Sequence, residues 1–238
     1  MRSSGGGNKA RPTGDDAGTL PVVRVVVAGG HGQVARRLER VLATAGHTAV
    51  GIVRNPDHVG DVRAAGAEAV VCDLEATDLD TVATHLEAAD AVVFAAGAGP
   101  GSGIPRKQTV DRDASVLMAD AAERAAVRRV VQISSMGAGA PPRPGTDETF
   151  AAYLRAKTEA EDDLRRRDLD WTVLRPGGLT NAPGTGRVRL ASSVPRVQIS
   201  RDDVAAVIVG LLSHARGIGR TLELVAGDTP IEQALATE

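Results

Sequence analysis

The stretch Val25-Val-Val-Ala-Gly-Gly-His-Gly-Gln-Val-Ala-Arg-Arg-Leu38 passes from an apolar β-branched run, through glycines, into an amphipathic run within a few residues. This order predicts a strand, a tight turn and a helix. Gly29, Gly30 and Gly32 let the backbone come close to a ligand, and the turn amides then aim at whatever sits over the helix N-terminus. A pyrophosphate suits such a cradle. Three glycines beside a helix carry little weight alone, so their use has to be read from the strands that follow.

The alternation continues along the chain. Residues 1 to about 20 are rich in Gly, Ser, Pro and charge and read as a flexible leader; residues 21–238 read as one domain. Strands are expected at Val22–Ala28, Thr48–Arg54, Glu68–Cys72, Ala91–Ala96, Arg129–Ser134, Trp171–Leu174 and Thr221–Val225, with a short one inside Gly184–Ser193. Helices are expected at His31–Ala45, Val59–Ala65, Asp78–Ala88 opened by Thr77, Lys107–Ala126, Phe150–Arg167 and Asp202–Leu212. Gly97–Pro105 reads as a loop, and Gly137–Thr149 as a loop placed to form a rim or lid. Strands and helices in this order call for an α/β fold, a doubly wound parallel sheet with helices on both faces. Its binding crevice lies outside the carboxyl ends of the strands.

Composition removes several classes. The formal net charge of -2 leaves no basic footprint for nucleic acid or an anionic membrane. No apolar run approaches the roughly 18 residues of a membrane span, and the start Met1-Arg-Ser-Ser-Gly-Gly-Gly has no apolar segment of signal-peptide length. Cys72, the single cysteine, lies in an apolar run and reads as a small buried hydrophobe, so the chain is expected in the cytoplasm. No metal site is assigned.

Each strand end is a place to look for chemistry. Arg54 closes the second strand, where an acidic residue would accept from a ribose 2′-hydroxyl and a positive one suits a 2′-phosphate. That favours NADP; the alternative is a surface arginine at a turn. His58 is a possible second contact or a solvated loop histidine. Asp73 and Leu74 close the third strand and could receive an adenine ring, or Asp73 could cap a helix. Ala95, Ala96 and Gly97 leave room for a ribose and its phosphate. Ser134 and Ser135 close the fifth strand, and the next helix carries Tyr153 and Lys157, which share a face at i and i+4. An ammonium near a phenol favours the phenolate, so this tyrosine can exchange a proton near neutral pH; a surface pair is the alternative.

These residues resemble the short-chain dehydrogenase/reductase superfamily, in particular its atypical epimerase/dehydratase-like or NmrA-like branch, from Val22 to the C-terminus. Gly29-Gly-His-Gly-Gln-Val-Ala35 is similar to that branch's glycine pattern, which implies cofactor contacts at Gly29, His31, Gly32, Gln33 and Val34. Val131-Gln-Ile-Ser-Ser135 resembles the strand carrying the catalytic serine, with Ser135 the better aligned. Tyr153 and Lys157 match Y-x-x-x-K, implying an acid/base tyrosine and a lysine that also binds the nicotinamide ribose. The superfamily's asparagine falls at Asp111, where a carboxylate cannot donate as an amide does but can hold a water or the lysine. Trp171-Thr-Val-Leu-Arg-Pro-Gly-Gly178 resembles the segment lining the nicotinamide pocket, implicating Pro176, Gly177 and Gly178. Arg201-Asp-Asp203 resembles a helix opening given a structural role.

Too little chain follows Pro176 for a large substrate domain, so residues of about 177–200 are expected to complete a shallow pocket. The expected activity is an NADP(H)-dependent oxidoreductase acting on a small carbonyl or alcohol. Alternatives are an NAD(P)-dependent epimerase or dehydratase, and a non-catalytic NADP(H) sensor. Homodimers are common in the superfamily, but no apolar stripe in this sequence argues for one.

Overall fold

In β1 (Arg24–Ala28), Val25 and Val27 face one hydrophobic cluster and Val26 and Ala28 another, all four fully buried. A strand buried on both faces must lie inside a sheet covered by helices on either side. The computed structural model, which describes residues 23–99 and 101–238, has this arrangement; the expected leader lies outside the described residues.

After β1 come α1 (Gln33–Thr44), β2 (Thr48–Val53), a 3₁₀ turn (Pro56–His58), α2 (Val59–Ala64), β3 (Glu68–Val71), α3 (Leu79–His85) and β4 (Ala91–Phe94). Next are α4 (Ile104–Arg106), a π-helical segment (Lys107–Asp113), α5 (Ala114–Arg124), β5 (Arg129–Ile133), β6 (Met136–Gly139), α6 (Glu148–Arg165) and β7 (Asp170–Pro176). The chain ends with β8 (Gly178–Thr180), β9 (Arg187–Ala191), β10 (Gln198–Ser200), α7 (Arg201–Ser213), β11 (Arg220–Ala226), β12 (Thr229–Pro230) and α8 (Ile231–Ala236).

The nine-stranded sheet has the order β12-β9-β11-β7-β5-β4-β1-β2-β3. From β3 to β11 all neighbours pair in parallel, with registers such as Val26 against Val50 and Val92. The chain winds outward from β1 through β2 and β3, then returns to begin the other half at β4. The crevice between the carboxyl ends of β1 and β4 is therefore the switch point where this architecture binds ligands. One cluster packs α1 and α7 on the sheet through Leu38, Leu42, Val207 and Leu211; the other packs α3 and α5 through Val82, Leu86, Met118 and Ala122.

Several expectations change. The sheet is not wholly parallel, because β9 runs antiparallel to β11 and β12 antiparallel to β9. The helix expected at Lys107–Ala126 is broken in character, its first part π-helical before α5 begins. Asp78, not Thr77, caps α3, its carboxylate accepting from Thr81 N at 2.8 Å. The strands β6, β8, β10 and β12 and the helix α8 were not anticipated, being too short to carry a period of their own.

Candidate active site

The glycines shape the turn more than they donate from it. Gly29 N and Gly30 N both bond Ile52 O, at 3.1 and 2.9 Å, and Gly32 N bonds Gly29 O at 2.8 Å. Gly29 has φ +78°, and a Cβ there would lie 2.7 Å from Ala96 Cα; one on Gly30 would lie 2.7 Å from Gly51 Cα. Any side chain would push β1 off its neighbours. The free donors are the first amides of α1, at Gln33 and Val34, because helix geometry leaves them without a carbonyl and the N-cap, Gly32, brings no side chain. Beneath this turn the fully buried Glu39 presses on Gly30 and Gly51 with neither carboxylate oxygen hydrogen-bonded. Burial pushes its pKa up to about 8, against the pull of Arg36.

Two hollows meet over the glycine turn, sharing Gly32, Ala95, Ala96 and Gly97. The first, about 360 Å³, is lined by Gly29, His31, Arg54, Asn55, His58, Asp73, Leu74 and Glu75. Glu75 sits at its centre of charge. Its Oε2 accepts from Arg54 at 2.8 Å and from Arg106, and its Oε1 accepts from Thr109 at 2.6 Å. Burial raises the Glu75 carboxyl, but hydrogen bonds from Thr109 and Arg106 and the charges of Arg106 and Arg54 hold it below the usual range. Two guanidiniums, Arg54 and Arg106, and two carboxylates, Asp73 and Glu75, line this hollow. His31 stacks on His58 with ring centroids 3.6 Å apart, and His31 Nε2 lies 2.8 Å from Asp61 Oδ2. Asp73 Oδ1 accepts from Glu75 N at 3.0 Å, so this residue both braces the turn and lines the hollow.

The second hollow, about 530 Å³, is lined by Gln33, Val34, Lys107, Asp111, Ser134, Phe150, Tyr153, Lys157, Leu179 and Arg201. Lys157 Nζ lies 3.2 Å from Asp111 Oδ1 and also donates to Ile133 O at 3.3 Å and Ala96 O at 3.4 Å. The contact with Asp111 is one of charge, its angle falling outside hydrogen-bond geometry. Asp111 Oδ2 accepts from Ala98 N at 3.3 Å, tying the π-helical segment to the end of β4. The carboxylate thus holds the lysine. Two ammoniums attend the Tyr153 ring, Lys107 Nζ at 5.7 Å and Lys157 Nζ at 5.9 Å from its centre.

The structure brings together Gly29, His31, Gly32, Gln33, Val34, Arg54, Asp73, Leu74, Ala95, Ala96, Gly97, Asp111, Tyr153 and Lys157 around this cleft. It leaves others off it. Ser134, not Ser135, lines the hollow, because side chains alternate along the strand end; Ser135 Oγ turns to Met136 O. Ser134 Oγ donates to buried Glu161, whose carboxylate also holds Arg165 and Arg175. Pro176, Gly177 and Gly178 line neither hollow; Gly177 N is spent on Leu224 O at 2.9 Å, and Leu179 takes their place. Lys107, Glu75 and Arg106 were missed by sequence reasoning, and Arg201 had only a structural role. Their one signal was position just past the Gly/Pro loop or at a strand end.

The glycine cradle, the uncapped start of α1 and the cleft at the switch point fit a dinucleotide, which defines a Rossmann-like NAD(P)-binding protein. The family model described as NAD(P)H-binding matches residues 29–215, and the chain belongs to that family, among the atypical short-chain dehydrogenases/reductases. It is 35% identical over 214 residues to a Bacillus subtilis protein named uncharacterized sugar epimerase YhfK, covering 90% of this chain and 99% of that one. A Bacillus halodurans structure named as a candidate NAD-dependent epimerase/dehydratase superposes with a TM-score of 0.84 at 36% identity, over 91% of this chain and 100% of that one. The oxidoreductase ylbE from Lactococcus lactis does so with a TM-score of 0.78 at 26% identity, over 90% and 95%. The names of these relatives are those of epimerases and oxidoreductases. No helix of the described residues is long and apolar enough to cross a membrane.

Proposed function

We propose that the protein is an NADP(H)-dependent oxidoreductase of the cytoplasm acting on a small carbonyl or alcohol. The observation that carries the reading is one cleft wall: Tyr153 and Lys157 stand in the hollow that begins at the α1 amides. The nicotinamide, when bound, supplies or takes the hydride. Tyr153 gives its phenolic proton to the substrate oxygen in reduction and takes it back in oxidation, which contributes about 10²–10⁴-fold in comparable enzymes. Lys157, held by Asp111, Ile133 O and Ala96 O, keeps a positive charge fixed beside that phenol.

Ser134 has a narrower part than a serine that donates to the substrate. Its hydrogen is committed to Glu161, so toward the cleft it offers lone pairs, which accept from a substrate hydroxyl or a water. The preference for NADP rests on Arg54 and Arg106, two guanidiniums lining the first hollow, a donor type that suits a 2′-phosphate.

A second reading, an epimerase, is favoured by the names of two relatives at 35% and 36% identity. Here Tyr153 would take and return the same proton and the cofactor would leave unchanged. A panel of carbonyls, quinones and sugars run with NADPH and NADP⁺ on wild type and Tyr153→Phe separates the readings. Net change of cofactor, lost in the variant, supports the oxidoreductase; isomerised product with no net change supports the epimerase. Full activity in Tyr153→Phe overturns both.

A further inference from the structure

Lys107 opens the π-helical segment and is only 7% exposed, yet its ammonium meets no carboxylate among the described residues. Nζ donates to Gly99 O and to Ser102 Oγ, each at 2.8 Å, and Ser102 Oγ donates in turn to Gly99 O at 2.9 Å. Both acceptors are neutral. An ammonium carries three hydrogens, so one remains beyond these two bonds. Of the other charges on the wall of this hollow, Lys157 and Asp111 pair with each other, while Asp147 and Arg201 hold only neutral partners among the described residues. Asp147 caps α6 by accepting from Phe150 N at 2.9 Å. Arg201 donates to Asn181 at 3.0 Å, and Arg37 reaches that same oxygen while donating to Gln33 O, which places this guanidinium pair at the start of α1. A buried charge without a counter-charge is costly unless something else supplies one.

We propose that the missing charge is an oxyanion of the substrate, a carboxylate or a phosphate close to the reacting carbon, and that Lys107 sets specificity for it. The position separates this anion from the cofactor's phosphates. Arg201 and the α1 amides serve the pyrophosphate end, whereas Lys107 Nζ lies 5.7 Å from the Tyr153 ring, beside the acid/base. Lys107 and Asp111, four residues apart, share a face, so one short segment delivers both to the same hollow. The substrate class is then an acidic carbonyl or alcohol such as a 2-oxo acid, a 2-hydroxy acid or a phosphorylated ketone. The inference rests on the reading of the cleft as an NADP(H) oxidoreductase site.

The test uses NADP⁺, which cannot reduce a ketone, to form dead-end complexes measured by calorimetry. Pyruvate, 2-oxobutyrate and phenylglyoxylate are each compared with their methyl esters, and dihydroxyacetone phosphate with dihydroxyacetone. Wild type is expected to bind at least one charged member about tenfold tighter than its neutral partner; which pairs respond tells carboxylate from phosphate. Lys107→Gln, which keeps a donor for Gly99 O, and Lys107→Met are expected to bring that ratio below about twofold while NADP⁺ affinity stays within about twofold. The proposal is overturned by a preference that survives both variants, by no preference in any wild-type pair, or by NADP⁺ affinity falling along with the preference. Failure of wild type to bind NADP⁺ at all sinks the oxidoreductase reading instead, and the same pairs titrated without NADP⁺ still judge Lys107.

Discussion

Lys157 Nζ lies 3.2 Å from Asp111 Oδ1 with both side chains buried, so α6, which carries the proposed acid/base Tyr153, is pinned to the π-helical segment by a charge pair inside the cleft. Two ions removed from water stay together because neither can be solvated alone. Asp111→Ala leaves an uncompensated ammonium and is expected to cost about 3–5 kcal/mol in urea unfolding at pH 7. Asp111→Asn, which keeps shape and an acceptor, should cost less. A loss below about 1 kcal/mol for the alanine variant would show that water already solvates Lys157.

Arg54→Glu reverses a charge that faces Glu75 and the first hollow. NADPH affinity is expected to fall at least about tenfold, since a hydrogen bond to a charged group is worth roughly 1.5–3 kcal/mol. NADH affinity should change little. Fluorescence titration of both cofactors reads the ratio, and parallel losses would remove Arg54 from any role in discrimination.

Glu39 predicts a pH trend. Its folded pKa of about 8 lies above the ordinary 4.5, so between those values the unfolded chain loses a proton that the folded chain keeps. Stability from this group is complete below pH 4.5 and declines as pH rises toward 8, by an amount on the order of a few kcal/mol. Glu39→Gln cannot ionise. The difference in unfolding free energy between variant and wild type should therefore move in the variant's favour from pH 5 to pH 9. An unchanged difference would mean that Glu39 is ionised in the folded protein.

Ala88, Ala126 and Ala215 follow helices with φ of +59°, +58° and +48°, where glycine is the usual residue. Ala126→Gly relieves roughly 1–2 kcal/mol of strain, partly offset by a looser unfolded chain. A net gain of about 0.5 kcal/mol is expected in thermal unfolding. A destabilised variant would show that packing of the methyl outweighs the backbone strain.

The parallel core was legible because β1, β2, β4 and β5 are runs of β-branched residues buried on both faces, a signal that needs no partner to read. The glycine turn and the Tyr153 and Lys157 spacing were legible for a similar reason, each being local in sequence. What sequence did not reveal depends on contacts far apart in the chain. Glu75 gains its meaning from Arg54, Arg106 and Thr109, and Ser134 from Glu161, pairings that exist only once the sheet is assembled. Lys107 resembled any lysine opening a helix until burial removed it from water. The choice of Ser135 over Ser134 rested on the resemblance to the superfamily's serine motif, and which of two adjacent serines faces the hollow is decided only by the folded chain.

A π turn is an α-helix carrying more residues than its pitch accommodates. Each surplus residue rotates everything before it by about 100° relative to everything after. In this helix the buried positions nonetheless keep one face, Lys107, Val110 and Asp111 leading on to Ala114, Ser115, Met118 and Ala122, polar where it meets the cleft and apolar where it meets the sheet. One continuous rod thus serves the cleft with its first turns and the core with its later ones.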